Sequence, residues 1–246
     1  MQTPPNTIVK SYGEELTRLR DLLARMGGLA ERQVADAAGA LVRRDAAAAG
    51  EVIDRDEPID ALEREVETYC VRLLALRAPM AADLRLIVAA MKASQDLERI
   101  GDYARSVAKR AVVVSHQPVL GSLATFELMA QLVQRNLKDA IDALVNEDAE
   151  GARRVWAADL AVDDVYNGIF RGLLTHMMED PRNITAATHL LFIAKNFERI
   201  GDHATNIAET VYYAVRGEAL PEDRPKSDIT DSAVVRVPGE GGQASA

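Results

Sequence analysis

The sequence predicts an all-α protein built as two tandem, duplicated three-helix bundles. Apolar residues recur about every 3.6 positions through six segments, which is the spacing of one helix face. Hydrophobic residues make up 48% of the 246-residue chain but aromatic residues only 4%, and a core of Ala, Leu, Val, Ile and Met favours helices over sheets. The segment Asp96–Ala104 is repeated, with substitutions, 100 residues later as Asn196–Ala204. We therefore expect a duplicated helical unit.

Turn-forming residues separate the predicted helices. Pro79 ends the second helix, and the segment before Asn183, the expected cap of the last helix, breaks the chain again. Pro58 lies inside the second helix, where it removes a backbone donor and predicts a kink or break. Residues 116–122 are rich in turn formers and mark the boundary between the halves. The expected helices are 6–44, 45–78, 81–114, 123–146, 148–179 and 184–216.

Two three-helix repeats are expected, over residues 6–115 and 119–217. An offset of 103 residues also aligns the middle helices, so the duplication is not limited to the repeated segment. Residues 218–246 are rich in Pro and Gly without a period, and we expect them to be disordered. Their apolar run at 233–237 has an alternative interpretation, a strand added to a partner. The aligned positions are Asp45, Val52, Asp56 and Asp60 with Asp148, Val155, Asp159 and Asp163.

Charge and composition exclude several classes of protein. The chain has 29 Lys and Arg against 38 Asp and Glu, a formal charge of -9, which disfavours nucleic-acid binding. There is no basic segment followed by an apolar core at the N-terminus and no apolar run of about 18 residues, so we expect a cytoplasmic protein without direct membrane insertion. The single cysteine, Cys70, excludes an intrachain disulfide and a cysteine-based zinc cluster, and its apolar neighbours predict a buried thiol.

Each half carries two pairs of acidic residues four positions apart. Residues i and i+4 lie on the same side of a helix, where two like charges repel unless something compensates them. The second and third helices of each half should pack as an antiparallel hairpin, and at about 1.5 Å per residue the two pairs lie at heights that agree to within about 6 Å. Four carboxylates should therefore meet in each half. They are Asp56, Asp60, Glu98 and Asp102, and Asp159, Asp163, Glu198 and Asp202.

Such a patch, with no cysteine and little histidine, is typical of a site for hard cations. Mg, Mn, Ca or iron would fit oxygen ligands, either as a single ion or as several ions bridged by carboxylates. The simpler alternative is a solvated acidic face, with Arg99 and Arg199 as ion-pair partners or as ligands of an external anion. Pro58 weakens the first-half site, so the second-half site is the firmer prediction. Asp164 should point away to the surface.

Signatures of catalysis are missing from the sequence. It has no phosphate-binding Gly-x-x-x-x-Gly-Lys loop, no Gly-x-Ser-x-Gly elbow and no Glu-x-x-His pair of the kind found in diiron oxidases. We therefore expect a protein that is not an enzyme. Two alternatives stay open: a metal-dependent hydrolase or oxidase with a carboxylate-bridged metal, and a helical scaffold whose acids are only solvated.

The doubled Glu-Arg-Ile-Gly-Asp core, at 98–102 and 198–202, resembles the PhoU family of phosphate-transport regulators. The segments Pro79–Arg85 and Ile193–Glu209 match as well, and the resemblance extends over about residues 8–217. The sequence departs from the family pattern at Pro58 and in the long polar tail.

The resemblance implies a cytoplasmic, helical negative regulator of phosphate uptake and of the phosphate-starvation response. Such a protein would act as an adaptor between the ATPase subunit of a high-affinity phosphate ABC transporter and a membrane sensor histidine kinase, and a homodimer is a further option. Some members hold metal, so iron, Mn, Mg or Zn ions, single or multinuclear, are the implied cofactors. By residue matching their ligands would be Asp56, Asp60, Glu98, Asp102, Asp159, Asp163, Glu198 and Asp202.

Overall fold

The computed structural model describes residues 5–55 and 57–221, and within these ranges the fold is all-α, as predicted. It has no β-strand there, and six long helical segments, two of them interrupted. None of these helices has both the length and the low polarity needed to cross a membrane. The elements are α1 (Pro5–Arg43), α2 (Ala46–Asp54), α3 (Glu57–Arg77), α4 (Ala82–Ser115), α5 (Ala124–Asn146), α6 (Ala149–Ala158), α7 (Leu160–Glu179), a 3₁₀ turn (Pro181–Asn183) and α8 (Ile184–Arg216).

The middle helix of each half is interrupted. In the first half the predicted break near Pro58 is confirmed: α2 ends at Asp54, and Pro58 lies in the first turn of α3, where a missing N–H leaves no bond unmade. In the second half the prediction of one continuous helix over 148–179 is wrong. The chain turns at Asp159, whose carbonyl accepts a hydrogen bond from Val162 N at 2.9 Å. No proline marks this second break, so the sequence pattern did not reveal it.

The duplication extends to backbone conformation. Arg44 and Glu147, 103 residues apart, follow α1 and α5 and adopt left-handed φ angles of 54° and 53°, a conformation that costs an L-residue about 1 kcal/mol. Each is held by its side chain. The Arg44 guanidinium donates to the carbonyls of Ser115, at 3.0 Å, and Gln117, and the Glu147 carboxylate pairs with Arg20.

The start of α8 differs from the prediction. Asn183 precedes the helix, but its side chain does not cap it and instead donates to the His176 carbonyl at 3.2 Å. The preceding 3₁₀ turn is capped by Asp180, which accepts from Arg182 N at 2.9 Å. At the other end α8 stops at Gly217, with a left-handed φ of 77°. Residues 218–221 are not helical, and the rest of the tail, with the candidate strand at 233–237, lies outside the described residues.

The two halves share one hydrophobic core, centred on the antiparallel pair α4 and α8. Near the start of α4, Arg85 Nε donates to Ala214 O near the end of α8 at 3.1 Å. Near the end of α4, the Arg110 guanidinium lies 4.2 Å from the centre of the Phe192 ring, close to the start of α8. Helices α1, α2 and α3 pack on α4, helices α5, α6 and α7 pack on α8, and α1 contacts α5.

Two glycines lie at close approaches between helices. A Cβ atom at Gly27 would lie 2.8 Å from Ile141 Cγ2, so α1 and α5 cross too closely there for a side chain. At Gly101 a Cβ atom would lie 3.0 Å from Ile59 Cδ1 on α3. At Gly201 the nearest atom, Val162 Cγ1, is 3.5 Å away, which is an ordinary contact.

Candidate carboxylate site

The two copies of the repeated motif lie beside each other at the middle of the α4–α8 pair. Asp96 Oδ1 of the first copy is 2.8 Å from His203 Nδ1 of the second, and the Tyr103 and His203 rings are 5.6 Å apart. The Arg199 guanidinium lies 5.5 Å from the centre of the Tyr103 ring. The motifs that the duplication places 100 residues apart in sequence are therefore neighbours in space.

The second-half carboxylates are largely withdrawn from solvent. Asp159, Asp163 and Glu198 are only 3%, 4% and 6% exposed, and Asp202 is half-buried. Burying a charge is costly unless hydrogen bonds or opposite charges stabilise it. The adjacent Asp164 is exposed, as predicted.

Two polar side chains compensate this burial. The Thr205 hydroxyl donates to Asp159 Oδ1 at 3.2 Å, and Lys195 Nζ lies 3.0 Å from Glu198 Oε1. Lys195 also lies 5.1 Å from the centre of the Tyr166 ring, a position that favours a cation. Asp163 is in the first turn of α7, where the positive end of the helix dipole stabilises a carboxylate.

The first-half carboxylates are more exposed. Asp60, Glu98 and Asp102 are all half-buried, and Asp60 lies in the first turn of α3. Burial, and after it the negative charge of Asp102, raises the pKa of Glu98 above its ordinary value. Arg99 acts in the opposite direction, whereas Glu63 and Asp60 also raise this pKa, so negative side chains outnumber positive ones around Glu98. Asp56, the fourth predicted member, lies outside the described residues.

The motif arginines have different partners. Arg99 pairs with acids of its own helix, Glu98 at 3.6 Å and Asp102 at 3.5 Å, and not with a neighbouring helix. Arg199 instead stacks on Tyr103. Since Arg99 is 60% exposed, its ion pairs are weak, at about 0–1 kcal/mol.

The types of side chain at these sites and their arrangement lead to different expectations about metal binding. Eight predicted carboxylates are the oxygen ligands that hard cations prefer. Within residues 5–55 and 57–221, however, no three side chains of His, Cys, Asp or Glu are gathered closely enough to hold one ion. In the conformation described, Lys195 contacts Glu198 and Thr205 contacts Asp159. Metal binding stays a prediction.

Sequence reasoning missed the residues that stabilise the buried acids. Lys195 is three residues before Glu198, a spacing that predicts a helix contact. Thr205 had no comparable signal, because its partner Asp159 lies 46 residues away and meets it only through the packing of α8 on the α6–α7 junction. The corresponding first-half position holds Arg105. The two carboxylate sites are therefore not equivalent.

Comparison with protein families gives two matches along this chain. The model of the PhoU domain matches residues 23–111 and again residues 126–211. The chain belongs to the PhoU family. Each PhoU match includes one copy of the motif and most of the helix, α4 or α8, that carries it.

Known PhoU proteins are similar over nearly their whole length. The phosphate-specific transport system accessory protein PhoU homolog of Caulobacter vibrioides is 52% identical over 222 residues, which cover 90% of this chain and 96% of that protein. The homolog of Rhizobium meliloti is 45% identical, with 92% and 95% covered. The crystal structure of PhoU from Pseudomonas aeruginosa has a TM-score of 0.81 at 42% identity, covering 84% of this chain and 100% of that one.

Proposed function

We propose that this protein is a negative regulator of phosphate uptake and of the phosphate-starvation response. The observation that carries the proposal is membership of the PhoU family over both repeats. Relatives named as accessory proteins of the phosphate-specific transport system, at 45–52% identity, support the same role here. The protein would act without catalysis, by binding other proteins from the cytoplasm.

In this proposal the protein is an adaptor between the ATPase subunit of a phosphate ABC transporter and a sensor histidine kinase. Large apolar side chains are exposed in both halves, and they support a role in protein binding because a partner that covers them removes apolar surface from water. In the first half Leu76 and Met80 are 66% and 80% exposed, and in the second half Met178 and Phe192 are 61% and 49% exposed. A homodimer would use the same kind of surface.

Deletion of the gene tests the regulatory role. In medium rich in phosphate, the deletion strain should express phosphate-starvation genes that the parent represses, and expression of the full chain from a plasmid should restore repression. Co-purification with the transporter's ATPase subunit and with the kinase tests the adaptor role. Full repression in the deletion strain would contradict the proposal.

Metal binding at the carboxylate motifs is a separate proposal. We expect iron, Mn, Mg or Zn in protein purified without chelator, with loss of the metal when Asp159, Asp163, Glu198 and Asp202 are replaced by Ala. Asp164→Ala is the matched control, because this exposed acid adjoins the site. Elemental analysis is the measurement. If the protein contains no metal after growth with all four metals, the alternative that these acids are only solvated would be favoured. The proposed regulatory role would not be affected.

A further inference from the structure

A groove between the start of α4 and the end of α8 has no role in the carboxylate site. It encloses about 540 Å³ of open space. Its chemistry is mixed, with apolar side chains, two cations and one acid. The residues that line it are Arg85, Val88, Ala89 and Lys92 of α4 and Glu209, Thr210 and Tyr213 of α8.

Exposed apolar side chains lie in this groove and next to it in the sequence. Leu84 and Val88 are four residues apart on the same face of α4 and are 41% and 39% exposed. Tyr213, across the groove on α8, is 50% exposed, and Met80, just before α4, is 80% exposed. Several large apolar side chains exposed together indicate a surface that another segment covers.

Helix α8 ends beside this groove. A Cβ atom at Gly217, the residue that ends α8, would lie 3.5 Å from Cζ of Arg85, one of the groove residues. Residues 218–221 follow Gly217, and residues 222–246 continue from there, so 25 further residues begin five positions after Gly217. Seven residues from 221 to 228 span up to about 23 Å when extended, whereas Arg85 and Lys92 are only about 10 Å apart along α4.

Residues 228–237 have the chemistry that the groove requires. Asp228 and Asp231 precede the apolar run Ala233-Val234-Val235, and Arg236 follows it. The segment therefore offers acids that can pair with the cations of the groove, and apolar side chains that can cover Val88 and Tyr213. A covalent connection of this length keeps the segment at an effective concentration of about millimolar, so weak contacts suffice.

We propose that residues 228–237 dock in the groove between α4 and α8 and cover Leu84, Val88 and Tyr213. The contact is made by side chains, because two helices offer no sheet edge to a strand. The docked tail shields an apolar surface of the regulator. A partner that binds the groove must displace the tail.

Thiol labelling measures the docking directly. Cys70 is the only native cysteine and is fully buried, so Val88→Cys creates one accessible thiol in the groove. In the full chain, Val234→Asp together with Val235→Asp should raise the labelling rate of this thiol at least about fivefold, because the loss of a docked segment with millimolar effective concentration exposes it. Val71→Cys on α3, 54% exposed and outside the groove, is the control and should not change.

A second variant removes residues 222–246. In the part of the chain that the structure describes, all buried core residues lie at or before Ala214. This truncation should therefore keep the helical circular dichroism signal and raise the rate of the Val88→Cys thiol as the double substitution does. Addition of a peptide of residues 226–240 at millimolar concentration should then restore protection. Equal rates in the full and truncated chains would overturn the proposal. So would protection that depends on protein concentration, which would identify a second copy as the occupant.

Discussion

Asp96 Oδ1 on α4 lies 2.8 Å from His203 Nδ1 on α8, and this contact joins the two repeats at the centre of the molecule. Both side chains are largely buried, with 17% and 22% of their surfaces exposed. The duplication does not repeat this contact. The residue that corresponds to Asp96 in the second repeat is Asn196, and the residue that corresponds to His203 in the first repeat is Tyr103. Because the two repeats differ at these two positions, a carboxylate and an imidazole are in contact between two otherwise similar helices.

Replacing Asp96 and His203 should show that they interact. We expect Asp96→Ala and His203→Ala each to lower the free energy of unfolding, and the double variant to lose less than the sum by about 1–2 kcal/mol, as for a hydrogen bond with a charged partner. Urea unfolding at neutral pH measures the cycle. Asp139→Ala is the control, because Asp139 is an exposed acid on α5. Its effect on the free energy of unfolding should add to that of His203→Ala. A coupling free energy below about 0.3 kcal/mol would contradict this interpretation.

Two adjacent glycines on α1 should respond to alanine in opposite directions. At Gly27 a methyl group would lie 2.8 to 3.0 Å from three atoms of the Ile141 side chain, so Gly27→Ala should destabilise the protein by about 1–3 kcal/mol. Gly28 is exposed and has no such neighbour within 4 Å. Gly28→Ala should therefore stabilise it by about 0.5–1 kcal/mol through helix propensity. Thermal and urea unfolding of both variants check the sign, and destabilisation by both would show that α1 tolerates no side chain here.

The ion pair between Glu15 and Arg77 should make stability depend on acid pH. Arg77 binds the Glu15 carboxylate through two hydrogen bonds of 2.7 and 2.8 Å, and these bonds hold the pKa of Glu15 below its ordinary value of 4.5. The pair therefore stabilises the fold fully above that ordinary pKa, and the contribution is lost as the pH falls through the lower folded pKa.

Glu15→Gln tests this dependence. Its urea midpoint should lie below that of the unmodified protein at neutral pH, and the difference should close as Glu15 is protonated in acid. Glu14 is an exposed neighbour on the same helix. The difference in urea midpoint between Glu14→Gln and the unmodified protein should not change with pH. A constant difference between Glu15→Gln and the unmodified protein down to about pH 2.5 would mean that the ion pair is not its cause.

Cys70 should react only when the protein unfolds. Burial raises the pKa of its thiol to about 12, and the side chain has no exposed surface. Because the thiolate is the reactive form, we expect labelling by an aromatic disulfide at pH 8 to be at least about a thousandfold slower than for an accessible thiol. The rate should rise with urea along the unfolding transition. Rapid labelling of the native protein would mean that α3 opens locally.

The pattern of apolar residues was sufficient to predict the helices, because a helix face repeats within a few residues of sequence. It gave the ends of α4, α5 and α8 to within a residue. The break at Asp159 was not predictable in this way, since no proline or glycine accompanies it. The same limit applies to Thr205 and Lys195, whose importance depends on which buried carboxylate each one meets.

By itself, the sequence determined the duplication, the all-helical class and the placement of acids on facing helices, because these follow from spacing along one chain. Only the tertiary structure decided how the two motifs meet. The antiparallel packing of α4 on α8 brings Asp96 to His203. The packing of α6 and α7 buries Asp159 and Asp163, whereas Asp60, the first-half counterpart of Asp163, stays half-buried. Burial and pairing depend on contacts between residues distant in sequence, and no local pattern records them.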